Sequence, residues 1–132
     1  FAWLIADGDM HLKNLALLKI AEPGDEQFRS VRMAPLYDAV TTRVFPRLQR
    51  DRLALTLNGK DARLHRADFQ ILASTAGLKA ADTDAAIGDM IQRMKEAAGR
   101  ISLPELPGSG PEDRAITAKM LEIVRTRIES LE

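Results

Sequence analysis

The chain contains no cysteine. Disulfide bonds, thiolate nucleophiles and cysteine-ligated metal centres are therefore excluded, which is consistent with a reducing, cytoplasmic environment. No apolar run approaches the roughly 20 residues that a membrane-spanning helix needs, and no signal-peptide pattern is visible. We therefore expect a cytoplasmic protein with no membrane partner.

The chain also lacks a net charge, because 19 basic residues balance 19 acidic ones. The overall charge therefore gives no indication of a nucleic-acid or membrane partner. What is present is the composition of a folded protein, with 45% hydrophobic and 29% charged residues among 132. A chain of this length is expected to form one domain with its own hydrophobic core.

A polar cluster, "IADGDMHLKN", lies between the apolar runs "FAWLI" and "LALLKI". Within it, Asp9 is followed five positions later by Asn14, which is the spacing of the protein-kinase catalytic loop. In that loop the aspartate accepts the proton of the substrate hydroxyl, and the asparagine binds Mg²⁺. Lys13, directly before the asparagine, is placed to neutralise a transferring phosphoryl group. The same spacing also occurs in solvated turns, so on its own it leaves both interpretations open.

A second carboxylate is predicted to return to this cluster at the end of a hairpin. We interpret residues 15–37 as two antiparallel strands joined at Pro23-Gly24-Asp25, a typical turn sequence. The strands would place Asp38 near Asp9 and Asn14. A kinase uses a carboxylate in that position to bind the Mg²⁺ that bridges the ATP phosphates.

The next segment, residues 43–66, is rich in positive charge, with seven basic residues against two acidic ones. Its alternating leucines and its Asn58-Gly59 pair are typical of a short strand that ends in a tight turn. The charge is typical of a solvated face that holds ion pairs. Two alternatives are that it borders a phosphate site or that it guides an acidic or RNA-associated substrate.

The remainder of the chain is predicted to be helical. Apolar residues recur at helical spacing over residues 67–76 and 83–98, and each run is followed by a glycine, Gly77 or Gly99. A last helix is predicted to begin at Pro111, after a linker rich in proline and glycine at residues 102–111.

Two ordered motifs make the sequence similar to a known family. "GDMHLKNLALL" followed by "MAPLYDAVTT" resembles the C-terminal domain of HipA-type serine/threonine kinases, the toxins of bacterial toxin–antitoxin pairs. The family's D-x-H-x-K-N loop is matched by residues 9–14. Its L-x-P-x-Y-D segment is matched by residues 33–38, with Met33 in place of the usual leucine. The resemblance covers most of residues 1–78 and fades in the helical remainder.

The resemblance implies an α+β, mostly α fold, in which a helical kinase C-lobe carries its catalytic loop on a small antiparallel β-hairpin. It implies that Asp9 is the catalytic base with Lys13 beside it, and that Asn14 and Asp38 bind Mg²⁺. We assign His11, together with Asn14 and Asp38, to the site of the cofactor ATP. The expected role of His11 is to hold the turn by a hydrogen bond from its side chain to the backbone.

Asp7 stands where relatives often have an uncharged residue. A carboxylate so close to Asp9 would raise the pKa of the base if the two groups faced each other. We expect Asp7 to face water instead.

Several parts of a kinase are not found in the sequence: a G-x-G-x-x-G loop, a V-A-I-K-type lysine and the helix glutamate that pairs with it. We therefore expect residues 1–132 to be one domain of a longer protein whose N-terminal lobe binds the nucleotide, and to be inactive alone. The expected partners of that protein are a serine- or threonine-containing protein substrate, an antitoxin and, through the antitoxin, DNA. The alternative is a non-catalytic helical module, a degenerate kinase lobe that binds an antitoxin, DNA or a partner protein.

Overall fold

The computed structural model of the protein describes residues 1–102 and 110–132. Its helices are α1 (Ala2–Ile5), α2 (Arg66–Thr75), α3 (Ala80–Ala98) and α4 (Pro111–Glu129), and its strands are β1 (Leu17–Ile20) and β2 (Ser30–Met33). Single 3₁₀ turns occur at Leu12–Asn14, Thr42–Val44 and Pro46–Leu48. The fold is α+β and mostly helical with one small antiparallel sheet, which confirms the prediction.

The hydrophobic core lies where α1, α3 and α4 meet. The apolar stripe predicted for α3 is confirmed, because Ile91 and Met94 are buried in this core and Ile87 and Met90 pack against it. The other buried members of the cluster are Trp3, Leu4, Leu64, Val124, Ile128 and Leu131. The short α1 is therefore held by its side chains rather than by its length, since it has only four residues.

The predicted hairpin is confirmed, although its strands are shorter than predicted. Strands β1 and β2 pair antiparallel from Leu17 opposite Met33 to Ile20 opposite Ser30, and all eight of their residues are exposed. A two-stranded sheet with both faces exposed contributes little stability on its own. Its structural role is to reverse the chain, so that the residues after β2 lie beside the loop that precedes β1.

The leucine alternation before Asn58 does not form a strand. A single bridge pairs Leu57 with Lys60 around the Asn58-Gly59 turn, whose φ angles of 50° and 73° are those of a type I′ turn. The predicted tight turn at Asn58-Gly59 is therefore confirmed, and the predicted strand before it is wrong. The reason is that a strand needs a neighbour to pair with, and this segment finds one only across its own turn.

Helix α2 begins and ends within one residue of the prediction. At its end, Gly77 has a positive φ of 74°, a conformation that favours glycine. At its beginning, the buried Asp68 accepts the backbone N–H of His65 at 2.9 Å. The same carboxylate accepts hydrogen bonds from Lys60 Nζ at 2.7 Å and from Asn58 Nδ2 at 3.3 Å. Asp68 therefore joins the tight turn to the first turn of α2.

These contacts make the stability of the fold sensitive to acid. The hydrogen bond from Lys60, followed by that from the His65 backbone, lowers the pKa of Asp68 to about 2. In an unfolded chain the same group has a pKa of about 4, so the contribution is complete above that pH and is lost as the pH falls toward 2. We expect Asp68→Asn to be less stable than the wild type at pH 7 and to lose less stability on acidification.

Thermal unfolding followed by circular dichroism between pH 7 and pH 2.5 measures this difference. Asp89→Asn is a matched control, because Asp89 lies on an exposed face of α3 and its partner is Arg93 at the i+4 position. An Asp68→Asn protein whose melting temperature falls with acid as steeply as that of the wild type would contradict the assignment.

Two further expectations concern the ends of helices. Helix α3 begins three residues earlier than predicted, at Ala80, and α4 begins at Pro111 as predicted. The predicted linker falls largely on residues 103–109, which lie outside the described residues.

Within the described part of the chain, no helix combines the length and apolar character needed to cross a membrane.

Candidate functional site

The polar cluster begins where α1 ends. Ala6 takes the left-handed conformation (φ 53°) and donates its N–H to the carbonyl groups at the start of the helix, which ends α1. The buried hydroxyl of Thr42 then fastens the chain. It accepts the N–H of Gly8 at 3.1 Å and donates to the carbonyl of Ala6 at 3.2 Å. The entry to the loop is therefore anchored on one side by the core and on the other by a residue 34 positions away.

Asp7 is fully buried, so the expectation that it faces water is wrong. Its Oδ1 accepts the backbone N–H of Asp9 at 3.1 Å. Its Oδ2 is buried and has no hydrogen-bond partner among residues 1–102 and 110–132. Since Asp9 itself is exposed, the two carboxylates have different tasks. Asp7 fixes the backbone of the loop, and Asp9 presents its side chain at the surface.

Asn14 and Asp38 are brought together, as the sequence predicts. The side chain of Asn14 is buried, and its Nδ2 donates to Asp38 Oδ2 at 2.9 Å. A second hydrogen bond, from the hydroxyl of Tyr37 to the carbonyl of Lys13 at 2.5 Å, lies beside the first. Both bonds join residues 24 positions apart. The segment that follows β2 is therefore docked on the loop that precedes β1.

The backbone of Asp38 is in the left-handed region, with φ at 53°. Aspartate tolerates this conformation better than most residues with a side chain, although it still costs free energy. The hydrogen bonds of Tyr37 and Asp38 to the loop maintain it. Such conformations occur preferentially where a side chain must be aimed at a site.

His11 does not hold the turn in the way expected. The Leu12–Asn14 turn is closed by a backbone bond from the Asn14 N–H to the His11 carbonyl at 2.9 Å, and the side-chain bond that caps it runs from the backbone N–H of His11 to Asn14 Oδ1 at 2.9 Å. The imidazole Nδ1 of His11 is buried and has no partner in the described residues. The asparagine performs this task because it lies three positions after the residue that begins the turn, where a short side chain reaches back to a free N–H.

Asp9 and Lys13 both lie at the exposed surface of the loop. Neither side chain donates or accepts a hydrogen bond within the described part of the chain, so both project toward solvent. The structure thus joins Asn14 and Asp38 directly. It places Asp9 and Lys13 on the same short loop without tying them to that pair.

Asn14 and Asp38 carry side-chain oxygen atoms of the kind that Mg²⁺ prefers. Mg²⁺ takes oxygen ligands and is usually held by one or two protein side chains together with phosphate oxygens and water. Asp38 offers its carboxylate, and the carboxamide oxygen of Asn14 has a second lone pair beyond the one that accepts the His11 N–H. Among the residues that the structure describes, no cluster of three or more His, Asp or Glu side chains could hold a metal. Asn14 and Asp38 by themselves would leave most ligand positions of such a cation to water or to phosphate oxygens.

Sequence reasoning missed two residues of this site, Asp7 and Thr42. Both are buried polar residues that fasten the loop to its surroundings. Neither belongs to a motif used to identify the site, and burial of a short polar side chain has no periodic signal in the sequence.

A comparison with protein-family models matches residues 1–98 to the HipA-like C-terminal domain. The matched residues include the polar loop, the hairpin, the basic segment, α2 and α3, and they end before α4. No curated protein and no solved structure matches the chain.

Proposed function

Because this chain belongs to the family of HipA-like C-terminal domains, we propose that it forms the catalytic floor of an ATP-dependent protein serine/threonine kinase. The observation that carries the proposal is the hydrogen bond between Asn14 and Asp38. It joins the two motifs whose kinase counterparts hold Mg²⁺. The lobe that covers the phosphates is proposed to belong to the same longer protein.

In this proposal Asp9 accepts the proton of the attacking serine or threonine hydroxyl. A general base must come within about 2.6–3.2 Å of that oxygen, so it must be accessible to a protein substrate. The exposed position of Asp9 meets this requirement. The hydrogen bond from its N–H to Asp7 limits how far the loop can move, which favours a fixed attack geometry.

Lys13 is proposed to place its ammonium group against the transferring phosphoryl group. Asn14 and Asp38 would hold Mg²⁺, which neutralises the charge of the ATP phosphates when it is bound. His11 is proposed to border the nucleotide site. It is half-buried, and in the sequence it lies between the proposed base, Asp9, and the proposed metal ligand Asn14.

The proposal is tested by substituting Asp9 with asparagine in the full-length protein. We expect the rate of phosphate transfer from radiolabelled ATP to a protein substrate to fall by about 100-fold or more, because asparagine cannot accept the proton. Asp89→Asn on α3 is the matched control and should retain the wild-type rate. A wild-type rate in Asp9→Asn would exclude Asp9 as the base. Phosphorylation by the 132-residue chain alone would contradict the need for a second lobe.

The second candidate function is a non-catalytic module that binds an antitoxin, DNA or another protein. The observation that favours it is the exposed apolar surface of the hairpin, to which Leu17, Val31 and Met33 contribute. Such side chains are typical of a surface that a partner covers. A full-length protein that binds its partner but transfers no phosphate from ATP would favour this module over the kinase.

A further inference from the structure

A cavity of about 580 Å³ lies between the basic segment, residues 43–66, and helix α4. We call it the cationic cavity, because five basic residues line it: Arg43, Arg50, Arg63, Lys119 and Arg127. One carboxylate, that of Glu122, also lines it, and this group lies 3.2 Å from Lys119 Nζ. The chain as a whole has no net charge. The excess of positive charge is therefore a local property of this cavity.

Arg127 is the clearest sign that the cavity suits an anion. Its guanidinium group lies 3.4 Å from the centre of the buried Trp3 ring. Burial, and to a lesser extent the nearby charge of Arg43, lower the pKa of Arg127 to about 10. In the described part of the chain, no carboxylate lies within ion-pair distance of this group. A half-buried cation beside another cation is costly, and a bound anion would offset that cost.

Arg43 is held in position for the same purpose. Its Nε donates to the backbone carbonyl of Gln49 at 2.7 Å, which restrains the side chain and leaves its two terminal amino groups available to other acceptors. Guanidinium groups recognise phosphate well because their donors are planar and paired. Because Arg43 and Arg127 both line this cavity, it suits a ligand with more than one phosphate oxygen.

The cationic cavity is lined by residues other than those proposed for phosphoryl transfer, and its Arg43 and Arg127 also line a smaller pocket that reaches Gly8, next to Asp9. Asp9, Asn14 and Asp38 are not among its lining residues. Its volume is within the range of about 300–1,000 Å³ that is usual for small-molecule sites. A nucleic acid would instead follow an extended groove along which charges are spaced with the phosphates.

We propose that the cationic cavity binds a small molecule with several phosphate charges, such as a nucleotide or pyrophosphate, at a site distinct from that of phosphoryl transfer. The proposal does not depend on the kinase activity, since it uses none of the residues assigned to catalysis. Arg43 and Arg127 would contact the phosphates from the inner side, and Arg50 and Lys119, both exposed, would contact them from the rim.

Calorimetric titration of the 132-residue chain with inorganic pyrophosphate tests this proposal. We expect binding to the wild type and a loss of affinity of about 10-fold in Arg50→Gln and in Lys119→Gln, because each removes one charge-assisted hydrogen bond. The double variant should lose about 100-fold if the two effects add. Arg93→Gln is the control, since Arg93 is exposed on α3 and paired with Asp89, and it should bind pyrophosphate as the wild type does.

Thermal unfolding without ligand establishes whether each variant is folded. If the double variant is not folded, the two single variants are enough to test the proposal. No binding of pyrophosphate by the wild type, or equal affinity in the wild type and the rim variants, would overturn the proposal. A single-stranded oligonucleotide that binds the wild type when pyrophosphate does not would also overturn it and would assign the cavity to nucleic acid.

Discussion

Replacement of Asp38 by alanine in the full-length protein is expected to reduce phosphoryl transfer by about 100-fold or more. The proposed role of its carboxylate is to hold Mg²⁺ with Asn14, and a missing charged ligand costs several kcal/mol of transition-state stabilisation. The effect should appear in kcat, with a raised requirement for Mg²⁺. An alanine side chain offers no oxygen, so added Mg²⁺ should restore the rate only in part.

The fold of the domain should tolerate this change. Asp38 is exposed, and the hydrogen bond from Asn14 is the contact that its side chain makes with another side chain in the described residues. Asn14 keeps its bond to the backbone of His11 in the variant. Alanine adopts the left-handed conformation at position 38 less readily than aspartate, but this cost falls on an exposed segment outside the hydrophobic core. Unfolding temperatures of the two proteins should therefore be similar, which separates a lost ligand from a lost fold.

Tyr37→Phe is the matched control for Asp38→Ala. It removes the neighbouring hydrogen bond between Tyr37 and the carbonyl of Lys13 while leaving the carboxylate in place. A docking role alone predicts that both variants lose activity to a similar extent. A ligand role predicts a large loss only in Asp38→Ala, and full activity of that variant would rule the ligand role out.

The sequence was sufficient for the features that depend on neighbours in the chain. The helical period of Ile87, Met90, Ile91 and Met94 located α3, because a stripe with this spacing can be buried only on a helix. Gly77 located the end of α2 because its positive φ is a local requirement. The pairing of Asn14 with Asp38 was also predictable, since a hairpin returns the chain to its starting point.

The features that the sequence did not reveal depend on contacts between distant segments. Nothing near Asp7 indicates its burial, and the residues on either side of it, Ala6 and Gly8, are bonded to Thr42, which lies at least 34 positions away. The expectation that the His11 side chain holds the turn was wrong for a different reason, since two polar side chains compete to cap the same turn and Asn14 does so. The cationic cavity also depends on distant segments, because its two main walls, residues 43–65 and 119–130, are more than 50 positions apart in the chain.

Gly8 provides the strongest prediction about the stability of the loop. A Cβ atom at this position would lie 2.2 Å from Asp51 Oδ2, 2.6 Å from Asp51 Cγ and 2.8 Å from Thr42 Oγ1. All three distances are far shorter than a van der Waals contact. Asp51 can turn its carboxylate away, but Thr42 Oγ1 is held by its hydrogen bonds to Gly8 and Ala6. The added Cβ would therefore disrupt the hydrogen bonds of Thr42 that anchor the loop.

We expect Gly8→Ala to destabilise the protein by about 1–3 kcal/mol, as is usual when a methyl group is forced into a packed site. For a chain of this size the melting temperature should fall by roughly 3–12 °C. Gly88→Ala is the matched control, because Gly88 lies inside α3 and a Cβ there would meet nothing within 4 Å. That change should stabilise the protein by about 0.5–1 kcal/mol, since alanine is the better helix former.

A second substitution distinguishes the two sources of the clash. Asp51→Ala removes the closest atoms, so the double variant should recover part of the stability lost in Gly8→Ala. The remaining deficit measures the displacement of Thr42, and it should be accompanied by a lower rate of phosphoryl transfer because the loop that carries Asp9 is no longer anchored. If Gly8→Ala had the same melting temperature as the wild type, the loop could move away from Thr42 without a free-energy cost, and Asp9 would not be held in one place.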